Sequence, residues 1–254
     1  MTEYTNEEFE ASYNKIYDML TKDGAAKQQN CVIFLGGQPG SGKSHIIGEN
    51  DCVDYVKING DDYRKYHPNF DEITSYDIEN MPTRTQEFVN KCIERLIKDL
   101  SDEGYNLVIE GTLRNPQVTI DTCQTLKNKG YRTDLIIVAV DAVTSWESTI
   151  NRAELLKELG QTPRLVPIDK YNYIVNNIVN SVETIDNAGC FDDIRLVDRD
   201  NKVIYPDDTG RKVASVMEEK VNVNRWNEMY KDIAEKFLDT KIDLLQSRRK
   251  RKGR

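Results

Sequence analysis

CVIFLGGQPGSGKS, Cys31 to Ser44, decides the fold. The apolar run Val32 to Leu35 reads as a buried parallel strand. Gly37 to Ser44 follows at once and satisfies G-x-x-x-x-G-K-[ST] at every fixed position. Glycines in such a loop let consecutive backbone N–H groups turn toward an anion, and the start of the next helix adds its dipole. Gly37, Gln38, Pro39, Gly40, Ser41, Gly42, Lys43 and Ser44 are therefore expected to bind a nucleotide. Lys43 places a compact cation on the β- and γ-phosphates, and Ser44 offers a hydroxyl to Mg²⁺. The stretch says nothing of what receives the phosphoryl group.

Outward from it, apolar runs alternate with amphipathic segments. Val53 to Ile58, Tyr105 to Ile109, Asp134 to Val140 and Ile194 to Val197 read as strands. Another, Lys202 to Tyr205, follows the turn-like Asp198-Arg199-Asp200-Asn201. Helical spacing covers 6–20, 84–103, a segment from Pro116, then 146–159, 169–188 and 212–246. Residues from Asp61 to Pro82 are polar and interrupted by Pro68, a substrate-side loop with short helical pieces. The alternation predicts an α/β fold, a P-loop NTPase-like parallel sheet flanked by helices. One domain is expected, with a core over about 30–205, a C-terminal helix over 212–246 and a basic tail at 247–254. The stripe Trp226, Tyr230, Ile233 and Phe237 is read as packing.

In such sheets ligands gather beyond the carboxyl ends of the strands. Asp61 and Asp62 stand just past one strand end, where a carboxylate can act as base toward an acceptor hydroxyl or simply cap a turn. Glu110 ends the run LVIE, placed to hold a substrate hydroxyl or a metal-bound water, and Thr112 and Arg114 continue that rim. Arg152 and Arg164 are candidates to neutralise charge on a transferred phosphoryl group. His67, alone in a polar loop, is read as a hydrogen-bonding anchor.

The formal net charge of −8 argues against a general nucleic-acid binder. The terminal run Arg248 to Arg254 is the local exception and reads as a solvated tail. No run approaches the ~18 apolar residues of a membrane span, and the acidic N-terminus lacks a signal-like core, so the cytoplasm is expected. Five scattered cysteines without a C-x-x-C pair, Cys31, Cys52, Cys92, Cys123 and Cys190, read as reduced core residues.

FLGGQPGSGKS, INGDDYRKYHPNFDEI and GYNLVIEGTLR, followed by Arg152 and by Arg164-Leu165-Val166-Pro167, together resemble the zeta toxins of bacterial toxin-antitoxin systems. The resemblance implies a P-loop kinase that uses ATP or GTP with Mg²⁺ to phosphorylate the 3′-hydroxyl of the amino sugar of UDP-N-acetylglucosamine, blocking cell-wall precursor synthesis. It makes Asp61 the general base, Lys43 the ATP lysine and Ser44 the metal-binding hydroxyl. Glu110, Thr112 and Arg114 become the segment facing the sugar nucleotide, and Arg152 and Arg164 the arginines around the ATP phosphates. It also implies a small helical antitoxin that covers the nucleotide site. The residues alone leave open another small-molecule or polynucleotide acceptor, or a nucleotide-dependent binding module without transfer.

Overall fold

The computed structural model describes residues 3–22, 30–49, 54–78, 80–161 and 163–246. Its first half runs α1 (Asn6–Thr21), β1 (Cys31–Gly36), α2 (Lys43–Glu49), β2 (Val56–Ile58), α3 (Gly60–Tyr63), a 3-10 turn (Arg64–Tyr66), α4 (Phe70–Tyr76), α5 (Met81–Arg84), α6 (Gln86–Asp102) and β3 (Leu107–Glu110). The second half runs α7 (Pro116–Asn128), β4 (Arg132–Val138), α8 (Ala142–Glu158), α9 (Ile168–Ala188), β5 (Asp193–Val197), β6 (Val203–Tyr205), α10 (Val213–Val221) and α11 (Val223–Gln246).

All the described strands join one sheet in the order β2-β3-β1-β4-β5-β6. The first five are parallel. β1 lies at the centre because it is apolar along its length and can be covered on both faces. Side chains of a strand alternate between faces, and β4 shows the consequence. Leu135 and Ile137 enter the larger core, with Phe34, Leu107 and Leu196. Ile136 and Val138 enter a smaller one, with Leu35, Ile46, Val108 and Val197. Both layers are needed to bury a parallel sheet, and the N-terminal helix α1 contributes Phe9, Tyr13 and Ile16 to the larger.

Three details differ from the sequence expectations. The late strand β6 pairs antiparallel with β5, because only the short turn at Asp198–Asn201 separates them and no helical crossover intervenes. Residues 212–246 form two helices, not one: Asn222 adopts φ 53°, closing α10 in the left-handed conformation that Asn tolerates. The helix expected at 146–159 starts earlier, at Ala142, where the Asp141 carboxylate accepts the Thr144 N–H. Cys31, Cys92, Cys123 and Cys190 form no disulfide, the last three being buried and Cys31 half-buried. Cys52, Val53 and the basic tail lie outside the described residues. No described helix is long and apolar enough to cross a membrane.

The stripe on α11 packs inward as expected. Trp226 is fully buried, its ring 4.9 Å from Tyr171 of α9 and 6.0 Å from Trp146 of α8, and its Nε1 donates to Asn172 Oδ1 at 2.8 Å. Phe237 closes on Trp146 from the next turns. Trp226→Ala removes one of the two indole rings of this cluster and the hydrogen bond to Asn172 Oδ1, which then keeps only its bond from Asn176 Nδ2 at 2.9 Å. Urea denaturation should show a loss of about 3–5 kcal/mol, the range for truncating a buried aromatic residue. A loss below about 1 kcal/mol would mean that α11 is not docked in solution.

Candidate active site

The sheet order places the carboxyl ends of β1, β2, β3 and β4 along one edge, and the loops that leave them meet there. The loop after β1 is shaped by contacts that only glycine permits at two positions. Gly40 has φ +79°, and a Cβ on it would lie 2.1 Å from the carbonyl oxygen of Ser145 in α8. Gly37 has φ +141°, and a Cβ there would meet Ser41 Oγ and the Val138 carbonyl oxygen, each at 2.8 Å. The loop is therefore seated against β4 and α8 rather than standing free.

Lys43 is almost fully buried, and its Nζ donates to the carbonyl oxygens of Gly37 at 2.8 Å and Gln38 at 3.1 Å. Burial brings its pKa down to about 8, the pull of Glu110 opposing this and the Arg152 charge adding to it. The loop thus curls around its own ammonium group, the place a nucleotide's terminal phosphates would take. Gln38, also buried, donates from Nε2 to the Val140 carbonyl oxygen at 2.5 Å and to Ser145 Oγ at 3.2 Å. Ser41 Oγ and Gln38 Oε1 are buried without a partner among the described residues. An unmatched hydroxyl inside a glycine-rich loop suits a phosphate ligand, which brings acceptor oxygens of its own. Ser44, next along α2, is exposed.

The loop after β2 brings Asn59 and Asp61 to the same edge. Asn59, rather than either aspartate, caps α3: its Oδ1 accepts the Asp61 N–H at 3.1 Å. Its Nδ2 donates to Glu110 Oε2 at 3.2 Å, tying the β2 and β3 ends together. Relieved of capping, Asp61 keeps an exposed carboxylate whose Oδ1 accepts Arg64 Nε at 2.9 Å. Arg64 is held in turn by the Pro82 carbonyl oxygen, Thr85 Oγ1 and Gln86 Oε1 at 2.9 to 3.1 Å. Asp62 faces Arg164 across 3.7 Å.

Glu110, at the end of β3, is half-buried and its carboxyl pKa is raised, first by desolvation and further by Asp61 and Asp62, while Lys43 and Arg152 oppose the rise. Arg152 is exposed by surface area, yet its pKa is lowered, first by desolvation and then by the Arg164 charge. Both observations fit a guanidinium crowded by protein on several sides and open to solvent on one. Lys43, Asp61, Glu110 and Arg152 thus act on one another electrostatically, and Arg164 joins through Arg152. Thr112 and Arg114 continue from β3, half-buried and exposed respectively, and the Arg114 charge acts on Lys170. Among the described residues no cluster of three or more His, Cys, Asp or Glu forms a metal cage. Mg²⁺ needs none when phosphate oxygens and water complete its shell around one or two protein oxygens.

His67 is a buried anchor: its Nδ1 accepts the Asn69 N–H at 3.0 Å, and its ring packs on Tyr4 and Phe88. Sequence reasoning missed Asn59 as a link to Glu110, Arg64 as the partner of Asp61, and Ser145 behind the loop. It noted Arg199 only as part of a turn, whereas Arg199 Nη2 donates to the Gly40 carbonyl oxygen at 2.7 Å. Spacing carries no signal for the Asn59, Ser145 and Arg199 contacts, which join segments 51 to 159 positions apart, whereas Arg64 and Asp61 are an i,i+3 pair.

A parallel sheet in this order, with a glycine loop and buried lysine between β1 and α2 and opposed charges at the neighbouring strand ends, defines the class of P-loop proteins whose site receives a nucleotide's phosphates. A family model described as Zeta toxin matches residues 17–210, and the chain belongs to the zeta toxin family. It is 35% identical over 209 residues to Toxin zeta of Streptococcus agalactiae, covering 81% of this chain and 73% of that one. It is 31% identical over 235 residues to Toxin PezT of Streptococcus pneumoniae serotype 4, covering 91% and 93%. Among solved structures, one from work on the PezAT chromosomal toxin-antitoxin system of Streptococcus pneumoniae superposes with a TM-score of 0.77 at 30% identity, over 96% of this chain and 98% of that one. A structure of AvrRxo1-ORF1:-ORF2 with ATP shares the fold at 15% identity, with a TM-score of 0.51 over 78% of this chain and 63% of that one. Family and site together support a kinase-type phosphotransferase.

The burial of Lys43 has a measurable consequence. Its pKa is about 8 in the folded protein and near 10.5 when exposed, so the unfolded chain binds more protons between those values. The penalty is full below about pH 8 and fades as pH rises toward 10.5. Lys43→Met removes it, so the ligand-free variant should exceed the parent in stability by about 2–3 kcal/mol at pH 7, the gap shrinking toward zero by pH 10.5. Urea denaturation across that range checks it, and a gap independent of pH would exclude a buried ammonium.

Proposed function

We propose that this protein transfers the γ-phosphoryl group of ATP or GTP to the 3′-hydroxyl of the amino sugar of UDP-N-acetylglucosamine. The observation that carries the reading is the meeting of Lys43, Asp61, Glu110 and Arg152 at one sheet edge, each perturbing or perturbed by the others. Phosphoryl transfer needs a cradle for the donor, a group to orient the acceptor hydroxyl, and cations around the moving charge. Those roles map onto residues 37–44, onto Asp61, and onto Lys43, Arg152 and Arg164.

In this mechanism the donor's phosphates draw Lys43 Nζ away from the Gly37 and Gln38 carbonyl oxygens, and the phosphate charge stabilises the ammonium form that burial opposes. Ser44 Oγ, with phosphate oxygens and water, would hold Mg²⁺, which supplies further neutralisation when bound. Asp61, steadied through one oxygen by Arg64, keeps the other for the acceptor proton. Glu110, fixed by Asn59, orients the sugar, and Thr112 and Arg114 extend the acceptor side. Arg152 and Arg164 gather around the transferred group. Asp62 holds Arg164 loosely until the donor arrives.

Consumption of UDP-N-acetylglucosamine would starve cell-wall precursor synthesis, which fits membership of a toxin family. A small helical antitoxin that covers the nucleotide site is the expected partner, supported by the toxin-antitoxin system of the similar pneumococcal structure. An acceptor panel incubated with ATP and read by mass spectrometry tests the substrate. UDP-N-acetylglucosamine should gain one phosphoryl group, and a different acceptor phosphorylated in its place would replace this assignment. Asp61→Asn should lower kcat by about 10²–10⁴-fold with an unchanged circular dichroism spectrum. Near-normal turnover by that variant would remove Asp61 as base.

A further inference from the structure

We infer that Arg199 is a positioning residue for the donor nucleotide, clamping the phosphate loop from the β5–β6 turn. The inference rests on the reading that residues 37–44 bind a nucleotide. A loop whose N–H groups face an anion must turn its carbonyl groups the other way, and each needs a donor of its own. In the free protein Lys43 satisfies the carbonyl groups of Gly37 and Gln38. Arg199 satisfies that of Gly40 through Nη2 at 2.7 Å, and the same nitrogen reaches Ser148 Oγ on α8 at 2.9 Å. Its stem runs beside Gly42, where a Cβ would lie 3.6 Å from Arg199 Cγ.

When phosphates recruit Lys43, its two carbonyl partners lose that donor, the Gln38 carbonyl oxygen keeping the Ser41 N–H at 3.2 Å, and Arg199 still holds the loop at Gly40. The turn that presents it is fixed from within: Asp198 Oδ1 accepts the N–H of Asp200 at 3.0 Å and of Lys202 at 2.9 Å. Arg199 Nε is buried with no partner among the described residues. A desolvated donor left unmatched is unfavourable, so stability alone does not account for an arginine here. The antiparallel β6, unexpected in a parallel sheet, has the consequence that it returns the chain as a tight turn and so delivers Arg199 to the loop.

Calorimetric titration with Mg²⁺·ATP tests this on the whole chain, with melting temperatures measured on the free proteins. Arg199→Gln should weaken ATP binding about tenfold, as expected for losing a charge-assisted hydrogen bond. Arg199→Lys, which keeps a cation near Gly40, should recover part of that loss, and Ser148→Ala should weaken binding in the same direction but by less. A merely supporting role would lower the melting temperature and leave ATP affinity unchanged. ATP binding within about twofold of the parent in Arg199→Gln overturns the inference alone. A parent protein that binds no ATP overturns the nucleotide reading and this inference with it.

Discussion

A lysine ammonium sealed inside a glycine loop is the constraint on which the rest of the site depends. Lys43 has only carbonyl oxygens for partners, and carbonyl dipoles offset the loss of water incompletely, which is why burial depresses its pKa. The site is thus held in a state that an anion relieves. The loop is packed closely on its support, with Gly40 directly against the Ser145 carbonyl and Gly37 against β4.

The same packing ties the donor site to the far end of the chain. Gln38 leans on Ser145, Ser145 shares a hydrogen bond with the Tyr171 hydroxyl, and Tyr171 packs edge-on against Trp226 of the C-terminal helix. Asp141, which caps α8, also pairs with Arg225 at 3.0 Å. The helices beyond residue 210, where the family model ends, therefore buttress the wall behind the phosphate loop. Past the paired ends of β2 and β3, the amide of Asn59 adds a side-chain link, capping a helix with one end and holding Glu110 with the other.

Much of this was legible in the sequence, for physical reasons that can be named. Buried parallel strands must be apolar on both faces, so VIFL, LVI and LIIV stood out as runs. The phosphate loop needs glycine where φ is positive, so its pattern survives as spelling. What stayed hidden depends on which neighbour a side chain chooses and on single-residue backbone conformations. The aspartates after β2 were ambiguous between base and cap until Asn59 proved to be the cap. Arg199 looked like any turn residue, and the antiparallel sense of β6 and the break at Asn222 each turn on a local conformation that helical or strand periodicity does not encode. The charges of Arg152 and Arg164 act on each other, and Arg64 pairs with Asp61, a partnership to which the sequence reading assigned no role.

The central claim is that donor and acceptor meet between the phosphate loop and Asp61. A crystal structure with a non-hydrolysable ATP analogue, Mg²⁺ and UDP-N-acetylglucosamine tests it most directly. The account predicts the triphosphate over residues 37–44 with Lys43 Nζ on its terminal oxygens, and the sugar 3′-hydroxyl about 3 Å from the Asp61 carboxylate. A sugar nucleotide bound away from Glu110, or an Asp61 carboxylate turned from the hydroxyl, would contradict it.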